Sequence, residues 1–450
     1  MNIRSVHIHC IFSITLLLSA CLESGGGSTF ADSGGIHGTG VQVGPIDAFG
    51  SVYVNGMRYE TNSAVFLING QPATQDDLEV GQVIRLEANY PGNSATQVDY
   101  VETVKGPVQS INLANNTFVA LGQTVQVTPT TIFEAVTLAT LLVGDVVEVS
   151  GFRDPNKVIR STYIEKEANV LNYQVTGNIE NLAATTFNIA GLTVVHNNVN
   201  KQNGQLVDVI GLANDFNVNT LIASEVRAGF AANPEVGEEV GVHGIITNFT
   251  SVALFEVNGL VVVSDANTEI EGGALADLAL GVRVEVEGVY TSDENLLAEK
   301  IEIEEEGDGS IELRSVVEAI DAANNTVTLL NTTFSVNNST RYKDEREPKV
   351  RNFKLVDIAV GDDLSVNAVI RDATPAITKI ERKKNEEVVE LKGPVTEINA
   401  PASFKILDFE ILPAAGTVNF NQLAVEKIVE VKWEGPLGTT IPPKEIEIEN

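Results

Sequence analysis

The residues of this chain with the chemistry to act are few and scattered. Once a leader is set aside, three histidines remain, His37, His196 and His243. They fall in different stretches, with no His-x-His or HExxH spacing, so a zinc site would have to draw ligands from separate domains. His243 lies on an alternating stretch and reads as an exposed strand position. A Gly-x-Ser-x-Gly nucleophile turn and a Walker-type loop with its Lys are both absent. Gly25-Gly26-Gly27-Ser28 and Gly38-Thr39-Gly40 lack the strand-to-helix setting of a dinucleotide cradle. Adjacent acids such as Asp76-Asp77 and Glu238-Glu239 could work as acid and base only if buried in a cleft. Beside turns of an acidic chain they read as solvated surface. The run from Glu304 to Asp308 offers oxygen ligands without the spacing of a calcium loop. No catalytic, cofactor-binding or metal-ligating residue is therefore expected, and no cofactor.

Two further groups bear on binding. Phe49, Tyr53, Tyr59 and Phe66 could stack on a sugar ring, but at alternating strand positions they read first as core. The basic concentrations, Arg341 to Arg351 and Arg382-Lys383-Lys384, interleave with Asp344, Glu345 and Glu347 and read as a solvated loop. With 61 acidic against 29 basic residues the net charge is -32. That excludes nucleic acid as the expected partner, because its binders need a basic face.

The elements that must position these residues form a repeat. Its first mark is a Gly, a residue, Val or Ile, two residues and an apolar one. It starts at Gly44, Gly106, Gly177, Gly244, Ser315 and Gly393, with Ser315 standing in for the Gly. The second mark is an apolar residue and Gly ahead of an alternating strand, as in Val80-Gly81, Val143-Gly144, Leu280-Gly281 and Val360-Gly361. The third unit keeps only Gly204, and the sixth has Glu426 where Gly is expected. The third mark is a closing strand, as in Lys300-Ile301-Glu302-Ile303. Val282, Val284 and Val286 alternate with Arg283, Glu285 and Glu287, the period of a strand with one buried face. Gly, Asn and Pro punctuate such strands, and no stretch shows sustained helical spacing. The fold class expected is all-β, a tandem array of about six small antiparallel barrels of five or six strands. Their bounds are 36–104, 105–167, 168–233, 234–304, 305–384 and 385–450. A unit of this size buries about 60% of its extended surface and is marginal alone. Set end to end, six would span roughly 150 Å.

The N-terminus reads as an address. Arg4 precedes the short apolar run Ile8–Leu18, too short to span a bilayer and suited to a signal peptide, residues 1–20. Leu18-Ser19-Ala20-Cys21 resembles the bacterial lipobox, which implies that Cys21 is lipidated and becomes the new N-terminus. Residues 21–35, rich in Gly and Ser, read as a flexible tether. Cys10 and Cys21 are the only cysteines, so the body has no disulfide available. Leu22 after the cysteine, rather than Asp, points by analogy to the outer membrane.

Gly35-Ile36-His37-Gly38-Thr39-Gly40, Phe49-Gly50-Ser51-Val52-Tyr53-Val54-Asn55-Gly56 and Asn69-Gly70-Gln71-Pro72-Ala73 together resemble the bacterial family called domain of unknown function 5666. The resemblance is close in the first unit, fair in the second and fourth, and weaker in the others. It implies small β-barrel modules similar to the OB-fold, in tandem, in exported proteins and lipoproteins. It supplies no activity and no functional residues. The function expected is a lipid-anchored, non-enzymatic binding or scaffold protein of the bacterial cell envelope. Its partners are the membrane through the anchor and an envelope protein or glycan. The alternatives are an envelope carbohydrate-binding protein and a hydrolase with an unrecognised carboxylate site.

Overall fold

The marks of the repeat are bonded to one another, which explains why they recur together. In the first unit the Ile46 N–H donates to the Gln82 carbonyl at 2.9 Å, and the Gly81 N–H returns to the Ile46 carbonyl at 2.8 Å. The same reciprocal pair joins Val108 with Gly144 and Asp145, Ile179 with Gly204 and Gln205, and Ile246 with Gly281 and Val282. It joins Val317 with Gly361 and Asp362, and Val395 with Glu426 and Lys427. The second-mark residue turns the chain with φ of 93° at Gly81, 96° at Gly144, 87° at Gly281 and 92° at Gly361. That region is open to glycine and costly for other residues. Glu426 takes it nonetheless, at φ 71°, so the sixth unit keeps the turn without the residue suited to it.

These observations come from a computed structural model that describes residues 40–448. It omits 90–92, 169, 198–199, 230–233, 305–309, 371–373, 385–387, 415–417 and 435–441. The leader, Cys21 and the tether lie outside the described residues, as does most of the Glu304–Asp308 run. The regular structure is strand throughout, apart from short 3-10 turns such as Gln75–Asp77, Leu275–Asp277 and Leu355–Asp357.

In the second unit five strands pair in a ring. Val104–Asn112 pairs with Thr117–Ala120, which pairs with Gln123–Gln126. Ile159–Glu167 follows, then Val146–Arg153, which returns to the first strand. Every join is antiparallel except that of Gln123–Gln126 to Ile159–Glu167. A ring of five cannot alternate direction all the way round, so one join must be parallel. The fourth unit makes the same circuit, its parallel join lying between Leu260–Val263 and Leu296–Glu304. Closure removes the exposed edges that a small sheet would leave.

Units share cores, which answers the marginal stability of each alone. One apolar cluster runs through the second and third units and another through the fifth and sixth. The fourth unit's cluster takes in Val41, Val43 and Val83 of the first and Phe152 of the second. The first unit's cluster takes in Ile132 and Tyr163 of the second. The described residues from Gly40 onward form one compact unit.

Tandem in sequence is not file order in space. The strand Gly40–Phe49 runs parallel to Glu239–Ser251, with Gly40 to Val43 beside Glu239 to Val242, so the first unit pairs with the fourth. The fifth packs on the first and second: Arg351 reaches Glu79 at 3.1 Å, and Arg341 donates to the Thr130 carbonyl at 3.2 Å. Lys379 donates to the Thr131 carbonyl at 3.2 Å, and Lys343 to that of Phe133. The basic segment of the fifth unit is thus a solvated loop only in part: residues 347–350 and Lys384 are exposed, while its other cations turn inward. Arg341, Lys379 and Arg382 are buried, and desolvated cations of this kind persist only where acceptors meet them.

Candidate functional site

A cavity of about 520 Å³ opens where the first four units meet. Val43, Val83 and Val101 come from the first unit, Phe152 from the second, Leu206 from the third and Val242 and Leu260 from the fourth. These apolar walls are edged by Arg153, Asp154, Lys157, Glu180, Asn248 and Glu256. The volume lies within the range of small-molecule sites, and apolar walls with a few polar groups are their usual lining.

The polar groups at its edge are mostly engaged. Arg153 donates to Gln123 Oε1 at 3.0 Å and to the Thr176 carbonyl at 2.9 Å, and burial pulls its guanidinium down to about 10. Asp154 accepts from the Asn156 and Val158 N–H groups and pairs with Arg160 at 3.3 Å, which holds the turn before the closing strand. Lys157 and Glu180 form an ion pair at 2.7 Å. Two of the three acids at the edge are therefore committed to structure.

Phe152 links the cavity to a buried ionic network. Its ring stacks on His243 with centroids 5.3 Å apart, and the Arg283 guanidinium lies 5.4 Å from its centroid. Arg283 Nε donates to His243 Nε2 at 3.0 Å, and Glu304 Oε2 stands 3.0 Å from that nitrogen and 3.3 Å from the arginine. Arg341 of the fifth unit and Asp47 of the first complete the group, 3.6 Å apart. Burial lowers the His243 imidazole despite Glu304. Burial alone would raise Glu304, but His243, Arg283 and Arg341 hold it well below the usual range. Burial pushes Asp47 up to about 7, against the pull of Arg341.

His243 is therefore not the exposed strand residue its sequence position suggests: it is 4% exposed, covered by Phe152 of another unit. His196 is buried against Phe187 in the third unit, far along the chain from His243, and His37 lies outside the described residues. Asp76 remains a surface acid, though Arg351 approaches it at 3.6 Å. Phe49, Tyr53, Tyr59 and Phe66 are core residues. Lys354 Nζ covers the Tyr53 ring at 3.7 Å and Arg351 the Phe49 ring at 4.7 Å, so these faces are spent inside the protein. Sequence reasoning missed the cavity because four separate units supply its walls. The β-strand alternation of Val43, Val83 and Val242 marks them only as inward-facing.

The fold and its joints define an all-β protein of tandem, core-sharing barrels with a cavity at their meeting point. Three tandem regions, residues 105–165, 243–302 and 315–381, match the family model described as domain of unknown function (DUF5666). These are the second, fourth and fifth units. The first unit, whose residues carry the sequence resemblance most closely, is not among the regions matched. No curated protein matches the chain.

Proposed function

We propose that this is a lipid-anchored, non-enzymatic protein of the bacterial envelope that binds a small, largely apolar molecule in the cavity between its first four units. The observation that carries the reading is the cavity itself, of about 520 Å³ with walls from four units. A site shared between units gives the tandem array a purpose that no single barrel has. The engagement of Asp154 and Glu180 in ion pairs supports binding over hydrolysis. The internal use of the first unit's aromatics removes the support that a glycan platform would have drawn from them. The lipobox at Leu18–Cys21 supports the anchor. No helix among the described residues is long and apolar enough to cross a membrane.

Binding is tested with the apolar fluorophore N-phenyl-1-naphthylamine and the full chain. Saturable fluorescence is expected, and Val101→Trp or Leu206→Trp, each placing an indole in the cavity, abolishes it. Equal fluorescence in both variants would sink the cavity reading. The anchor is tested separately by radioactive palmitate labelling, which Cys21→Ser abolishes if the lipobox is used.

A further inference from the structure

Strand register lines up one residue from each neighbouring strand into a cross-strand row, and the row repeats from unit to unit. In the second unit it reads Lys105, Glu148, Glu165, Glu134. In the fourth it reads His243, Glu285, Glu302, Glu271. In the fifth it is Arg314, Ser365, Glu381, Lys343, with the middle acids replaced or flanked by cations. In the first, Asp99 lies opposite Arg85, 3.4 Å away, and in the third Asp208 lies opposite Arg227 at 2.6 Å. Like charges directly opposite on paired strands repel, and these three units answer the acid with a basic side chain.

In the second unit the ends of the row are answered, Glu148 by Lys105 at 3.9 Å and Glu134 by Lys343 and Lys349 of the fifth unit, but Glu165 between them meets no basic side chain among the described residues. Glu148, Glu165 and Glu167 bring carboxylate oxygens within 4.8 Å of one another, with Glu148 buried. Lys105 stands at the end of the row, 3.9 Å from Glu148, and is committed to Glu102 at 2.5 Å. Glu102 is an independent sign. It is 1% exposed, and its Oε2 has no hydrogen-bond partner, while Lys105 holds its other oxygen beside Glu148. A buried carboxylate oxygen without a donor is costly, and here it belongs to an acid that Lys105 joins to Glu148. Glu148, Glu165 and Glu167 thus gather where the first, third and fifth units set a base against the acid.

We propose that Glu148, Glu165 and Glu167, with Glu102 beside Glu148, bind a calcium ion at the joint between the first and second units. All-oxygen, carboxylate-rich and irregular sites suit calcium, whose ligands lie at about 2.3–2.6 Å and whose geometry is tolerant. Oxygens within 4.8 Å of one another can meet across such a sphere. The ion ties two units together, because Glu148 also accepts from Tyr100 at 2.7 Å and from Gln82 at 3.1 Å, both from the first unit. The group His243, Glu285 and Glu304 in the fourth unit is not a second site. Arg283 and Arg341 already supply its positive charge, and a guanidinium does not give up its proton. The proposal is independent of the cavity.

The test uses the full chain, treated with chelator and titrated with terbium chloride under tyrosine excitation, then with calcium chloride. Tyr163 donates to Glu165 Oε2 at 2.8 Å, so it is placed to sensitise a bound lanthanide. Saturable luminescence displaced by calcium is expected. Glu165→Gln and Glu167→Gln each weaken binding about tenfold or more, with the far-ultraviolet circular dichroism unchanged. Tyr163→Phe cuts the luminescence but leaves calcium binding by calorimetry intact. Glu397→Gln, an exposed acid of the sixth unit, changes neither readout. Binding that is as tight in Glu165→Gln as in the parent would assign the signal to the general acidity of the chain and overturn the proposal. So would the absence of saturable luminescence.

Discussion

Glu148 and Asp47 should make the protein less stable as pH rises, a property of single residues read through their surroundings. Burial pushes their carboxyls up to about 8 and about 7, far above the usual range near 4. A group whose folded value is raised contributes stability that is full below its unfolded value and is lost as pH climbs through the folded one. The window is therefore from about pH 4 to pH 8. Glu381 runs the other way. Burial alone would raise it, but Lys379 and Lys383 hold it near 2, so its contribution is lost only as pH falls below about 4. Thermal unfolding of chelated protein is expected to show a midpoint that falls between about pH 4 and pH 8. Glu148→Gln should flatten that fall, and an unchanged slope would remove Glu148 from the account. None of these residues could be singled out from sequence. Alternation along Val282–Glu287 or Val146–Ser150 tells which side of its own strand a residue faces. It does not tell that another unit will cover the polar side. His243 and Arg341 are buried for that reason, by partners far along the chain, whereas Arg382 is covered within its own unit by Asp344, Asp357 and Phe353.

At the scale of the element, the turn of the second mark can be tested in both directions. Gly144 sits at φ 96° with open space where a Cβ would lie, so Gly144→Ala meets only backbone strain. A loss of about 1–2 kcal/mol is expected. Gly81 has the same turn, but its Cβ would lie 2.6 Å from the Thr162 carbonyl and 3.1 Å from Ile132 of the second unit. Gly81→Ala should therefore cost more than Gly144→Ala, by an amount set by the joint rather than by the turn. Glu426 is the converse case: exposed, at φ 71°, its N–H already donating to Val395. Glu426→Gly should stabilise by about 1 kcal/mol. Urea midpoints of the three variants order these effects, and a destabilised Glu426→Gly would show that the side chain does something the turn does not require. This level was the most legible in the sequence. Gly44, Gly106, Gly177, Gly244 and Gly393 mark one end of the reciprocal bond pair, and the second-mark glycines mark the other. The parallel join was also within reach, since an expected five-stranded barrel already demands it. Which pair of strands takes it was not, because hydrophobic alternation carries no direction.

At the scale of the molecule, docking between units was not legible, because each joint uses residues that differ from copy to copy. The first unit offers Gln42 and Tyr100, the second Ile132 and Tyr163, the fifth Arg341 and Arg351, and no shared pattern marks them as interfaces. Short links between units suggest neighbours that follow chain order, but they leave each unit the reach to pack elsewhere. The pairing of the first unit with the fourth is the sharpest consequence and can be trapped. Gln42 lies opposite Gly241 in the parallel ladder, and a Cβ on Gly241 would fall against the Gln42 side chain. Both positions are buried, so cysteines there meet each other rather than solvent. The double variant Gln42→Cys with Gly241→Cys should form an intramolecular disulfide on mild oxidation, seen as faster migration of the monomer in a non-reducing gel. Each single variant should leave the mobility unchanged. Units strung in chain order would hold these residues apart, with two whole units between them, and no such bond would form at any protein concentration. An oxidised band at the dimer position alone would likewise count against the pairing, because it would place the contact between molecules and not within one.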